Sequence, residues 1–277
     1  MALASNFLSL NDGHKIPQVG LGCCKTGGEE LIQTIHWATQ YGYRHIDTAT
    51  HYYNESDVGK GVRTCGVPRD ELFVVSKMWP SDFRSPVHAI EYSLQQLDVN
   101  YLDAYLLHWP GSDRSLRHKA WEAILEYREK GLIRSVGVSN FLPEQLDDLI
   151  TAFGTTPVVN QVELHPWYPQ WELCDYCHNH AIRITSWGPV FRGRISEVTL
   201  MEELGRKYDR SPVQVTLRWH IQRGLIAIPK SSNESRIAEN INVFDFEITD
   251  EDMGAINALE TGWHFGNDPK TYDGGNN

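Results

Sequence analysis

Short runs of β-branched and aliphatic residues alternate along the chain with longer stretches whose apolar positions recur every three or four residues. Eight such runs stand out: Gln18–Gly22, Tyr43–Thr48, Leu72–Lys77, Leu102–His108, Ile133–Ser139, Pro157–Val162, Ile182–Ser186 and Leu225–Pro229. Each is bounded by helix signals and reads as a buried strand. Ser85-Pro86 supplies an N-cap followed by proline at the first helical position, and Val87, Ile90, Leu94 and Leu97 then make one apolar stripe. Ser211-Pro212 opens a second helix in the same way, and Gly131 ends a third, on which Trp121, Ile124 and Leu125 share a face. Strand alternating with helix predicts parallel βαβ units. Eight repeats predict an α/β chain closed into a (β/α)8 TIM barrel, with an open doubly wound sheet as the alternative.

In a barrel the chemistry gathers at the C-terminal ends of the strands. Asp47, Lys77 and His108 end three consecutive runs, and Tyr52 follows Asp47 on the same loop. Ser139 and Asn140 follow the fifth run, Gln161 lies in the sixth, Trp187 follows the seventh, and Lys230 and Ser231 follow the eighth. An acid, an amine, an imidazole and a phenol in one mouth point to proton transfer. A phenol titrates near 10 in water, and a nearby ammonium would lower that value. The predicted roles are therefore Tyr52 as acid, Lys77 as its tuner, Asp47 as the partner of Lys77, and His108 as a donor to a carbonyl. Lys230, Ser231 and Arg236 stand where barrels commonly bind phosphate. Trp79, Trp109 and Trp187 sit just past strand ends, as pocket walls would.

Composition narrows the classes. The 277 residues carry 25 Lys+Arg against 36 Asp+Glu, a net charge of −11, with no basic block. That disfavours a nucleic-acid partner. No run of about 20 apolar residues offers a membrane span, and Met1 to Leu10 does not read as a secretion signal. Five cysteines, an odd count in a long chain, predict reduced thiols and a cytoplasmic location. No linker divides the chain, so residues 1–277 read as one domain ending in a mobile tail from Gly262.

Several motifs are absent or incomplete. Gly20 and Gly22 start a dinucleotide fingerprint, but Lys25 breaks it. Cys174-x-x-Cys177-His178 has the spacing of a c-type haem attachment, yet it lies in a helical stretch without an export signal. No spacing of His and Cys suggests a metal, which weakens a metal-dependent hydrolase.

Several blocks together resemble the aldo-keto reductase family: Gly42-Tyr43-Arg44-His45-Ile46-Asp47-Thr48-Ala49 with Tyr52 and Glu55, Ser76-Lys77, Leu107-His108-Trp109-Pro110, Gly137-Val138-Ser139-Asn140-Phe141, Asn160-Gln161-Val162-Glu163 and Ile228-Pro229-Lys230-Ser231. They occur in order from about Leu8 to Tyr272. The short segment after His108, the short tail and Trp187-Gly188-Pro189 look like the bacterial 2,5-diketo-D-gluconate reductase branch.

The resemblance implies a barrel capped at its base by a hairpin, here Phe7 to Ile16, with a short C-terminal loop and NADPH bound without a Rossmann domain. It implies Tyr52 as general acid, with Asp47, Lys77 and His108 beside it. It places Trp187 on the nicotinamide, and Ser139, Asn140 and Gln161 on its carboxamide. Gly188 and Val190 would line the pyrophosphate, Lys230, Ser231 and Arg236 would take the 2′-phosphate, and Glu239 and Asn240 the adenine. The implied reaction is reduction of aldehydes or ketones, keto-sugar acids and methylglyoxal-like carbonyls included. A nucleotide-binding sensor of low turnover is the alternative, and a monomer the expected state, with a dimer open.

Three departures from the family pattern bear on substrate. Cys24 stands where relatives carry a large aromatic, which should widen the pocket. Arg192 and Arg194 replace a glycine-rich loop, to clamp the pyrophosphate or reach an anionic substrate. His51 and Tyr53 flank Tyr52 and should narrow the mouth; Cys24, His51, Trp79 and Trp109 are the expected pocket walls.

Overall fold

The computed structural model describes residues 6–272 and Gly274. The first five residues of the leader reading, and 273 and 275–277 of the tail, lie outside the described residues. The strands are β1 (Phe7–Ser9), β2 (Lys15–Pro17), β3 (Leu21–Gly22), β4 (His45–Asp47), β5 (Phe73–Met78), β6 (Leu102–Leu107), β7 (Ile133–Ser139), β8 (Val159–Glu163), β9 (Arg183–Trp187) and β10 (Ile226–Ala227).

Strands β3 to β10 form one parallel eight-stranded sheet, with sequence neighbours paired throughout. A parallel bridge between Val19 and Ala227 joins its two edges. Ala227 N–H donates to the Gln18 carbonyl and Gly20 N–H to the Ala227 carbonyl, both at 2.9 Å. The sheet is therefore a closed barrel, and all eight predicted strands are in it. The seam also explains Gly20 and Gly22. A Cβ at Gly20 would lie 2.6 Å from His45 Nδ1, and one at Gly22 would lie 2.9 Å from the Ile228 carbonyl. The pair serves close strand approach.

The antiparallel hairpin β1–β2 closes the base. Ser135 Oγ donates to Asp12 of its turn at 2.7 Å. Leu10 and Ile16 enter a cluster with Phe73, Val75, Ala104, Leu106, Val159 and Ile226, which fills the lower barrel. Between strands and helices lies the larger core, built on Trp121, Trp219, Tyr43 and Tyr105, each at most 1% exposed.

The helix ends follow the local sequence. Ser211 accepts from Gln214 N–H at 3.2 Å and heads the helix Pro212–Gln222. Gly131, at φ +74, follows the helix Arg114–Glu129. Ser85 precedes the helix Pro86–Leu97, but its hydroxyl makes no capping bond. The expected stripe on that helix is corrected too. Val87 is 44% exposed, and the buried face runs through Pro86, Ala89, Ile90, Ser93 and Leu97. A face centred on Ile90 and Leu97 leaves Val87 at its edge.

Alternation along the strands sets up the site. Inward positions on β5 run Phe73, Val75, Lys77, and those leading out of β6 run Ala104, Leu106, His108. The lower residues of each column are apolar and the top one is polar. Apolar packing thus forms a floor on which the charged layer rests. Trp121→Ala should cost about 3–5 kcal/mol, read as a lower urea midpoint. Val87→Ala should stay within about 0.5 kcal/mol, because that side chain is largely in water.

Candidate active site

Lys77 and Asp47 meet at the top of adjacent strands. Lys77 Nζ donates to Asp47 Oδ1 at 2.6 Å and to the Thr48 carbonyl at 2.7 Å. The lysine side chain is 0% exposed and the aspartate 2%. Gln161 Nε2 donates to the second carboxylate oxygen at 2.8 Å. Burying two charges is costly unless they are paired and their remaining hydrogen-bonding capacity is filled. Here the pair is closed by a backbone carbonyl and an amide.

Tyr52 stands over this pair on a short 3-10 turn, Thr50–Tyr52. Lys77 Nζ lies 5.1 Å from the centre of its ring. His108 meets the same ring edge-on, with centroids 5.5 Å apart. Burial, followed by the Asp47 carboxylate, pushes the Tyr52 phenol well above its ordinary value. This corrects the expectation that Lys77 would lower it. The ammonium is already engaged by Asp47 and Thr48, so desolvation wins. Burial and the Lys77 ammonium hold His108 well below the usual imidazole range, so it is neutral. A protonated phenol and a neutral imidazole side by side can donate two hydrogen bonds to one oxygen, and the phenol can surrender its proton.

A second network adjoins the first. Ser139 Oγ donates to the Gln161 carbonyl at 2.7 Å. Asn140 Nδ2 donates to the His108 carbonyl at 2.9 Å, and Trp187 Nε1 donates to Asn140 Oδ1 at 3.0 Å. Asn140 takes φ +62, a left-handed conformation that asparagine tolerates better than most residues.

The residues expected for a dinucleotide divide into two groups. Ser139, Asn140, Gln161 and Trp187 belong to the inner networks. Val190, Arg192, Lys230, Ser231, Arg236, Glu239 and Asn240 line an outer cleft of about 450 Å³. Among the described residues none of the cations Arg192, Lys230 and Arg236 forms an ion pair, although the chain carries a net −11. Unpaired cations converging on one cleft make an anion site. Gly188, expected beside them, is half-buried and does not line that cleft. A Cβ there would lie 2.5 Å from Phe265 Cζ, and φ is +64. Arg194 is also corrected: it pairs with Glu197 at 3.2 Å and does not line the cleft.

The expected pocket walls differ in where they lie. His51 stacks on Trp79, with centroids 3.8 Å apart, and the Trp79 edge meets His108 at 4.9 Å. Cys24 is half-buried, within the field of Lys77 and Asp47, and burial pushes its thiol up. Trp109 is 6% exposed, covered by Tyr272 and Gly274 of the tail. Tyr53 does not narrow the mouth; it is 87% exposed.

The tail is the feature the sequence reading missed. Glu163, 4% exposed at the end of β8, accepts from the Phe265 and Gly266 N–H groups at 2.9 and 2.8 Å. His165 Nε2 lies 2.9 Å from the same carboxylate. Trp263 and Phe265 pack on Phe191, and the Arg192 guanidinium lies 4.1 Å over Phe265. The described residues 262–272 are thus fastened across the mouth, where mobility was expected. A carboxylate ending a strand was the available signal. Among the described residues no group of three His, Cys, Asp or Glu is placed to hold a metal, and no helix is long and apolar enough to cross a membrane.

Residues 18–261 match the model of the Aldo/keto reductase family. The chain belongs to that family. A curated aldo-keto reductase of Mycolicibacterium smegmatis is 44% identical, the alignment covering 96% of this chain and 98% of that one. The methylglyoxal reductase DkgA of Salmonella typhimurium is 42% identical, with 97% and 98% covered. The crystal structure of a Gox0644 variant in complex with NADPH superposes with a TM-score of 0.92 at 39% identity, covering 97% and 99%. The aldo/keto reductase barrel is thereby shared along nearly the whole chain.

Within this family member the buried pair is open to a direct test. Lys77→Met leaves the Asp47 carboxylate buried without its counter-ion and should cost about 3–5 kcal/mol in stability. Adding Asp47→Asn to it should recover part of that loss. Urea midpoints of the two single variants and the double variant measure the coupling, and strict additivity would contradict it.

Proposed function

We propose that this aldo/keto reductase reduces small aldehydes and ketones to alcohols with NADPH, Tyr52 giving the proton. The buried Lys77–Asp47 pair beneath a protonated Tyr52 and beside a neutral His108 carries the reading. The likeness to an NADPH complex and to a methylglyoxal reductase supports it. We take 2-oxoaldehydes of the methylglyoxal kind and keto-sugar acids as the substrate class, and one barrel domain, acting in the cytoplasm as a monomer, as the working unit.

The residues present fit the cofactor. The cations Lys230 and Arg236, with Ser231, suit its 2′-phosphate, and Glu239 and Asn240 its adenine. Val190 and Arg192 line the same cleft, and Trp187, Ser139, Asn140 and Gln161 of the inner networks would receive the nicotinamide. Bound NADPH supplies the hydride.

The chain itself supplies position and charge. The Tyr52 phenol and the His108 imidazole take the carbonyl oxygen between them and polarise it. Burial keeps the phenol protonated until negative charge develops on that oxygen, and the proton then passes to it. The resulting phenolate faces the Lys77 ammonium, which Asp47 and Thr48 hold in place. The fixed charges are set before reaction and need no reorganisation. The intact set of four residues favours turnover over a sensor role.

Tyr52→Phe should lower kcat for methylglyoxal reduction by about 10²–10⁴-fold, while NADPH still binds. Fluorescence titration would check the binding, and unchanged turnover would defeat the assignment. Arg236→Ala should weaken NADPH and leave NADH unaffected, since only NADPH carries the extra phosphate. The pH profile follows from the two shifts. The phenol is raised, so the acid form persists below that raised value. The imidazole is lowered, so it is neutral above that lowered value. The rate of reduction should therefore show no break near the ordinary imidazole value of about 6.5 and none up to about 10. A stopped-flow profile of the chemical step reads this directly.

A further inference from the structure

The strap across the mouth, residues 262–272, bears on the cation-lined cleft as well. Arg192 lines that cleft, and Phe265 of the strap does not. Yet the Arg192 guanidinium carbon lies 4.1 Å from the centre of the Phe265 ring. Among the described residues Arg192 makes no hydrogen bond and no ion pair, so this ring is its partner. Stacking by the face of a guanidinium leaves free the N–H donors that lie in its plane. Phe265 therefore holds the cation while its anion-binding edge stays unused.

The ring is itself fixed from several sides. Glu163 accepts from the Phe265 N–H and sets its backbone. The ring lies parallel to His165, with centroids 5.7 Å apart, and meets Trp187 edge-on at 5.8 Å. A side chain at Gly188 would collide with its tip. The loop that carries the cation is strained to match. Phe191, Arg192 and Gly193 take φ of +56, +53 and +87. Two adjacent residues with side chains in the left-handed region are costly, and such strain persists only where packing enforces it. Here Phe191 is buried against Trp167 and against Trp263 of the strap, with centroids 4.0 and 4.7 Å apart. The strap thus grips two neighbouring residues of the loop, Phe191 by Trp263 and Arg192 by Phe265. Strain of this kind gathers at ligand clamps.

Position decides which part of the dinucleotide is concerned. Phe265 touches both Arg192 and Trp187, so one ring separates the cation from the residue that would receive the nicotinamide. Lys230 and Arg236 suit the 2′-phosphate at the other end. Between those ends the dinucleotide carries its pyrophosphate. We propose that Phe265 is a positioning residue for nucleotide binding: it holds Arg192 ready for the pyrophosphate, so the strap contributes to cofactor affinity. The inference rests on the reductase reading and adds to it a residue outside the cleft, acting through Arg192. A free arginine loses rotamer freedom when it takes an anion, and one already held loses less.

Isothermal titration calorimetry of the complete chain with NADP+ tests this without turnover. Phe265→Leu keeps an apolar side chain and removes the ring face. It should raise Kd for NADP+ by about two- to fivefold, the worth of an exposed contact between a cation and a ring. Arg192→Met changes an exposed side chain and should itself weaken NADP+. In that background Phe265→Leu should add nothing. Adenosine 2′-phosphate, which has the 2′-phosphate and no pyrophosphate, should bind the wild type and Phe265→Leu alike. An unchanged or tighter Kd for Phe265→Leu would overturn the inference. So would an equal loss in the Arg192→Met background, or an equal loss with adenosine 2′-phosphate. A wild-type chain that binds no NADP+ defeats the reductase reading and this inference with it. A wild-type chain that binds NADP+ and reduces methylglyoxal with NADPH, but whose Kd ignores the ring, defeats this inference alone.

Discussion

An ammonium and a carboxylate sealed together inside the barrel are the constraint on which the rest of the structure depends. Removing either charge from water costs several kcal/mol. The pair survives because Lys77 and Asp47 end adjacent strands, so the backbone fixes their approach at 2.6 Å. Thr48 and Gln161 then fill the capacity that remains. The floor of Phe73, Val75, Ala104 and Leu106 keeps water from below, and the hairpin closes that floor. Core packing at one end and acid catalysis at the other are therefore parts of one arrangement.

The same pair decides the state of its neighbours. Because the ammonium is already engaged, it does not draw Tyr52 toward phenolate. It does act against charge on His108, which burial disfavours as well. Both neighbours are left in the protonation states that donate hydrogen bonds. The charged layer thus works by being closed: its own partners are internal, and what it offers upward is a field.

The barrel was legible because its strands are separate apolar runs and each repeat carries its own boundary signals. Strand-end chemistry was legible for the same reason, since alternation puts Asp47, Lys77 and His108 on one inner layer. What could not be read depends on distant contacts. Val87 looked like core because it is apolar and correctly spaced, but it sits at the edge of the helix face. Arg194 looked equivalent to Arg192, yet the two left-handed residues Phe191 and Arg192 turn the loop and send Arg194 to Glu197. The sign of the Tyr52 shift depends on how many partners Lys77 already has. The tail looked free because glycine and asparagine mark loops, and nothing local ties Phe265 to a strand about a hundred residues earlier.

That tie has a consequence for how such a mouth can be remodelled. Glu163 grips the main-chain amides of Phe265 and Gly266 and takes nothing from their side chains. Gly266 is constrained by shape, since a Cβ there would lie 2.3 Å from the Trp187 ring, and so is Gly274, where a Cβ would lie 2.7 Å from Trp109 Cβ. Away from these glycines and the packed rings of Trp263, Phe265 and Tyr272, side chains along the described part of the tail are released from the work of holding it down. Residues over the mouth can be exchanged while the strap stays anchored, so substrate range can drift without a matching loss of stability.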